Sequence, residues 1–238
     1  MWEECNINKK QKRIINFARI VALTFLVCVI FYVATKLKTN PELTSSENIV
    51  RIVSSNPIIA VLEFVLLYVL KGISMVFPSA VLNIAAGMIF DFPFSSVVSG
   101  LGIFVEFILM YAVGKFLGKD IVEGIKQKYP IVNKLDSFQT HNSFFISFII
   151  RIMGVVSYDM ASIYLGASGV KFLGFILGSM CGATLNIIID GLFGKYIFNP
   201  FSWQIWVVVI IRGTVIAMAI LVKNILVARE IRTLLHNN

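Results

Sequence analysis

Two apolar stretches of this chain have lengths that no simple membrane span explains. Residues 57–90 form the first and residues 143–190 the second. A straight helix crosses a bilayer with about 20 apolar residues. The first stretch is too long for one such helix and too short for two, and Pro78 interrupts it. The second is long enough for two, yet it contains Arg151, Gly154, Asp159, Gly166, Gly169 and Lys171. Broken apolar segments of this kind read as re-entrant hairpins. Their open backbone is tolerated at membrane depth only where protein or a water-filled cavity covers it.

Composition makes the bilayer the solvent. Hydrophobic residues are 58% of the chain and charged residues 14%, against about 45–50% and about 25% in soluble domains. Mean hydropathy is +0.85, and 20 residues are Phe. A water-soluble fold would expose apolar surface far beyond the few hundred Å² that a monomer tolerates. Soluble globular and disordered classes are excluded. An all-α polytopic membrane protein is expected, with about four transmembrane helices and two opposed re-entrant hairpins.

Charge placement orients the segments. Lys9, Lys10, Lys12 and Arg13 precede an apolar stretch at 14–34. A cleaved signal peptide is the rival reading, but no small-x-small site follows, so an uncleaved first helix entering from the cytoplasm is expected. A polar outer loop spans 36–56. Further apolar regions run at 94–117 and 203–226, with polar breaks at 118–142 and 195–202. If 57–90 is a hairpin entering from outside and 143–168 one entering from inside, the lysines of loop 118–142 and the basic C-terminal tail all become cytoplasmic, as the positive-inside rule prefers. Both termini are then cytoplasmic. Three regions follow: 1–56 as N-terminus, first helix and outer loop, 57–200 as core, and 201–238 as last helix and tail.

The formal charge of +8 suits anionic lipid headgroups. No basic run is interleaved with aromatics as nucleic-acid binding would need. Cys5, Cys28 and Cys181 are scattered, and His141 and His236 sit in polar segments, so neither a metal site nor a cofactor is expected. Hydrolase, zinc-protease and P-loop signatures are missing from the sequence. The best enzymatic rival is an intramembrane aspartyl protease using Asp159 and Asp190, but Asp190 lacks a Gly-x-Gly-Asp context. No enzymatic activity is expected.

The ionisable residues within the apolar segments include Glu63, Lys71, Glu106, Arg151, Asp159, Asp190 and Arg212. Each costs roughly 2.5–3.5 kcal/mol at a helix centre, so each needs a partner or water. Arg151 and Asp159 read as a pair near the tip of the second hairpin, either as a salt bridge holding it or as a headgroup contact. A guanidinium presents a planar fork of donors suited to phosphate. Glu106, one turn after Gly102, is a candidate proton carrier, and Glu63 is the other. The competing reading for both is a snorkelling or ion-paired carboxylate, with Lys71 as the candidate partner. Asp190 and Arg212 read as a helix–helix ion pair. Pro78, Gly87, Gly154, Gly166 and Gly169 read as backbone devices that permit turns and close approach. Gly100, Gly102, Gly178 and Gly182 read as packing positions, and Trp203 and Trp206 as interfacial anchors.

The chain also repeats itself. Gly102 matches Gly182 at an offset of 80, as Glu106 matches Asn186, and Gly114-Lys115-Phe116 matches Gly194-Lys195-Tyr196. Gly87 matches Gly166 at 79. Inverted repeats with broken helices are typical of secondary transporters.

Three blocks then resemble a known family. They are FPSAVLNIAAGMIFDFPFSSVVSGLG (Phe77–Gly102), YAVGKFLG (Tyr111–Gly118) and RIMGVVSYDMASIYLGAS (Arg151–Ser168). Their order and spacing over about 57–200 resemble the DedA, or VTT-domain, membrane proteins, closest to the branch with aromatic-Asp in the second hairpin. Gly154 stands where that family usually has Pro, and Gly can also break a helix. The resemblance implies two facing re-entrant hairpins and ATP-independent movement of a phosphate-bearing lipid, a phospholipid or a polyprenyl phosphate, between leaflets. It also implies a bacterial cytoplasmic membrane location and protons as a coupling partner, and leaves a homo-oligomer open. Arg151 would hold the phosphate, Asp159 would balance its charge, and Glu106 or Glu63 would couple protons. The alternatives are an ion-coupled transporter of a small solute and a non-transporting assembly factor.

Overall fold

Proline and glycine punctuate the helices. In the computed structural model, the described residues are 56–75, 77–118, 142–153, 156–197 and 201–215, with single positions elsewhere. Pro57 opens α1 (Pro57–Ser74), where its missing N–H is no loss and its fixed φ suits the first turn. The helix ends on left-handed Met75 (φ 53°), whose amide returns to the Lys71 carbonyl. Extended Pro78 then leads into α2 (Ser79–Ile89). The 24-residue α3 (Phe94–Leu117) ends at Gly118. After it come α4 (Ser143–Met153) and α5 (Tyr158–Ala167). Gly169, at φ 76°, turns the chain into the 25-residue α6 (Phe172–Tyr196). The apolar α7 spans Trp203–Val215.

Every element among the described residues is helical, and α1, α3 and α6 are each long and apolar enough to cross a membrane. The stretch at 57–90 resolves into an 18-residue helix and an 11-residue helix. The span expected at 94–117 is α3. Most of the expected first helix at 14–34, most of loop 118–142, Gly154 and the end of the last helix lie outside the described residues.

The helices form two interlocked sets of three. Within each set, one arm packs on the long helix that follows, α1 on α3 and α4 on α6. The short second arms cross over: α2 packs on α6, and α5 on α3. Arms of one pair scarcely touch, so each is held by the long helices and not by its own partner.

Glycines make these crossings possible. A Cβ on Gly87 would strike the Gly191 carbonyl, and one on Gly194 the Ile84 carbonyl. In the other set, Gly166 abuts the Tyr111 carbonyl and Gly114 the Ile163 carbonyl. Gly87 and Gly166 are 79 apart, as are Ile84 and Ile163, while Tyr111 and Gly191 are 80 apart, as are Gly114 and Gly194. The sequence repeat is therefore also a packing repeat. Gly87 and Gly166 are not turn residues: each lies inside its short helix, where small size lets two backbones meet. The turn belongs to Gly169, and Pro78 marks the start of α2.

Much of the outer surface is apolar. Leu62, Leu66, Val97, Leu101, Leu173 and Ile210 are all exposed, as expected where lipid replaces water. Overpacking a close backbone contact costs about 1–3 kcal/mol. Gly87→Ala and Gly166→Ala are each expected to lower the thermal midpoint of the detergent-purified protein. Gly100→Ala, whose Cβ meets nothing within 4 Å, is expected to leave it unchanged. Heating followed by size-exclusion chromatography measures all three.

Candidate functional site

Three helices place polar groups at their broken ends and a fourth places one midway along its length, and these groups meet in the interior. Lys71 lies in the last turn of α1, Ser79 and Asp159 in the first turns of α2 and α5, and Glu106 midway along α3. The signs suit the ends they occupy, a cation at a helix C-terminus and a carboxylate at an N-terminus. Gly72 lies beside the Glu106 side chain, so α1 can approach α3 closely.

Lys71 Nζ donates to Ser79 Oγ at 2.9 Å, to Glu106 Oε1 at 3.0 Å, and to both oxygens of Asp159 at 2.9 and 2.8 Å. An ammonium has three donors, and three residues receive them. Ser79 Oγ in turn donates to Glu106 at 3.2 Å. Lys71, Glu106 and Asp159 are 1%, 0% and 4% exposed. Charges so buried must be paired, because desolvation costs several kcal/mol per ion.

Arg151 closes α4 and is wholly buried. Its Nη1 donates to the Tyr158 carbonyl and its Nη2 to Ser162 Oγ, both at 2.7 Å. The guanidinium lies 4.0 Å from the centre of the Phe107 ring, with Tyr158 also beside it. Cation–π attraction strengthens in such a dry setting. Its Nε has no hydrogen-bond partner among the described residues.

The expected Arg151–Asp159 pair is not formed. Asp159 belongs to Lys71, because α5 packs on α3 and carries its first turn toward the first set of helices. Arg151 remains with α4 and reaches α5 through the carbonyl and ring of Tyr158 and the hydroxyl of Ser162. Glu106 takes Lys71 as partner, whereas Glu63 lies exposed on the outer side of α1, away from the cluster. Asp190 does pair with Arg212, linking α6 to α7. Asp190 Oδ2 also accepts from Asn83, whose Oδ1 accepts from Tyr68 at 2.7 Å.

Ser79, Asn83, Tyr68 and Ser162 were not singled out in the sequence. The first two carried a signal, since polar residues one turn apart on a short apolar helix need partners. Lys71 and Arg151 carried another, standing 80 residues apart like Gly102 and Gly182. The two cations are equivalent positions in the two sets. Glu106 and Asn186 are equivalent as well, and Asn186 donates to the Tyr158 hydroxyl. Among the described residues no group of three His, Cys, Asp or Glu is placed to hold a metal.

Two cations and two carboxylates make the site formally neutral when all are ionised. Breaking a buried pair costs about 3–5 kcal/mol, mostly through the charge left behind. Lys71→Met is expected to destabilise by about that much, and adding Asp159→Asn to recover part of the loss. Thermal unfolding in detergent tests this, and a double variant less stable than Lys71→Met alone would contradict it.

Residues 77–196 match the VTT domain family. That region runs from the turn before α2 to the end of α6 and contains every site residue except Lys71 and Tyr68 on α1 and Arg212 on α7. Neither curated proteins nor solved structures give a significant match. The match covers half of the chain, and with its apolar helices and interlocked halves this protein belongs to the VTT-domain (DedA) family of integral membrane proteins.

Proposed function

We propose that this protein moves a phosphate-bearing lipid across the bilayer without ATP. The observation that carries the reading is the buried, formally neutral group of Lys71, Arg151, Glu106 and Asp159, built at helix breaks inside an apolar bundle. Stability alone gives little reason for such a group, since well-packed apolar residues often serve as well or better. Ionisable residues at membrane depth mark transport pathways by default.

In this reading, α1–α2 and α4–α5 are re-entrant pairs entering from opposite faces, with both termini cytoplasmic. The gap between the arms of each pair is where a headgroup passes. Arg151 receives the phosphate, for which its unpartnered Nε is one donor, and Lys71 is its counterpart in the other half. A phosphate entering a neutral site adds negative charge, and protonating Glu106 or Asp159 cancels it. Proton uptake then accompanies headgroup binding. Glu106 carries this role in place of Glu63, because only Glu106 lies with the cations. The substrate is a phospholipid or a polyprenyl phosphate, and the membrane proposed for it is the bacterial cytoplasmic membrane.

A second reading is favoured by one feature. The group is closed on all sides in this conformation, as a co-transporter of a small anionic solute would be in its occluded state.

Reconstituted liposomes separate the two. Leaflet-specific quenching of a labelled phospholipid, and separately of a labelled polyprenyl phosphate, reads transbilayer movement. Wild type is expected to move one of them. Arg151→Lys, which loses the fork geometry and the ring stacking, is expected to be slower by about tenfold or more. Glu106→Gln is expected to lose any acceleration by a proton gradient. If neither lipid moves with or without a gradient, the lipid reading fails and the small-solute reading takes its place.

A further inference from the structure

Arg212 faces outward, unlike Arg151. Its side chain is 36% exposed, whereas that of its partner Asp190 is 6% exposed. On α7 the buried residues are Ile205 and Val208, and Trp203, Trp206 and Ile210 look away from the protein. The guanidinium therefore emerges on the flank of an apolar helix that meets lipid. Only Nη1 is used, in the bond to Asp190 Oδ1, and Arg212 makes no other hydrogen bond among the described residues.

Asp190 is held twice. Its other oxygen accepts from Asn83 Nδ2 at 3.0 Å. Asn83 accepts from Tyr68, which lies one turn before Lys71 on α1. The Arg212–Asp190 pair is thus the outer end of a polar thread that runs through α6 and α2 to the turn carrying the central cation.

We propose that Arg212 is the membrane-side docking site for the phosphate of a lipid headgroup, and that Asp190 is the anion the phosphate displaces. Three features support this. A guanidinium against hydrocarbon needs an anion, and the outward half of its fork, which takes no bond among the described residues, can give two more to phosphate oxygens. Asp190 stays bonded to Asn83 when displaced, so it is not left bare. Trp206 lies six residues before Arg212, about 9 Å along the helix. Indoles of this kind sit at headgroup level, which brings lipid phosphates within reach. The purpose of the site rests on the lipid-translocation reading, but its test does not, because docking is read as binding.

The α7 tryptophans supply the probe. In a Trp2→Phe background, energy transfer from Trp203 and Trp206 to dansyl-labelled lipid reports lipid at α7. Phosphatidic acid is compared with diacylglycerol of the same chains, which lacks only the phosphate. The unaltered site is expected to prefer phosphatidic acid, and Arg212→Gln to lose about tenfold of that preference. Asp190→Asn removes the competing anion, so it is expected to keep or strengthen the preference. A merely structural ion pair predicts that both variants fall together. The double variant Arg212→Gln/Asp190→Asn carries no unpaired carboxylate, and is expected to keep its thermal midpoint while still lacking the preference. Preference surviving in either Arg212→Gln protein, or lost in both single variants, overturns the proposal. Docking that persists in a protein that moves no lipid would sink the translocation reading and leave this site standing.

Discussion

A buried ammonium group governs this architecture. Lys71 can remain charged inside an apolar bundle only while all three of its donors are engaged. The acceptors come from α2, α3 and α5, elements as far as 88 residues away. Each of those helices must be in place before the charge is tolerable, so the cluster ties the order of packing to one side chain. The helix breaks take part in the same balance. A helix that stops inside a membrane leaves polar backbone ends, and charges of matching sign at those ends lower the cost of both. Lys71 and Arg151 close α1 and α4, and Asp159 opens α5.

The two halves share a packing plan but not a chemistry. Crossing of the short arms repeats glycine for glycine, as Gly87 on Gly191 and Gly166 on Tyr111 show. At the equivalent cations the halves diverge. Lys71 is surrounded by two carboxylates and a hydroxyl, whereas Arg151 has a carbonyl, a hydroxyl and aromatic faces. Glu106 in one half is answered by the neutral amide of Asn186 in the other. Groups able to exchange a proton are thus gathered around one cation, and the other is a permanent charge in a fixed cradle. Adjacent residues of α3 serve both, Glu106 bonding Lys71 and Phe107 stacking on Arg151.

The sequence reading succeeded where a residue's constraint is local. Run length and composition establish a membrane protein, because the bilayer imposes the same apolar length on any span. The 94–117 helix was legible to the residue, since turn-forming residues flank it on both sides. Asp190 and Arg212 were legible as partners because opposite charges on consecutive apolar helices can compensate each other. Gly87 and Gly166 read in the sequence as positions for a turn or a close approach, and in the fold they are close approaches. A turn and a backbone crossing both exclude a Cβ, and only the fold distinguishes them.

Sequence alone determined that this chain lives in a bilayer, that its apolar stretches break, that it repeats at a spacing of about eighty residues, and which charges the membrane must compensate. It did not determine who compensates whom. Arg151 and Asp159 lie eight positions apart, yet Asp159 pairs with Lys71, 88 positions away. Charge pairing at membrane depth follows whichever helices the packing of small residues brings together. That packing sends α5 across to the first half of the chain while α4 stays with the second. Nearness in sequence counts for little there, because helices that share a break need not share a face.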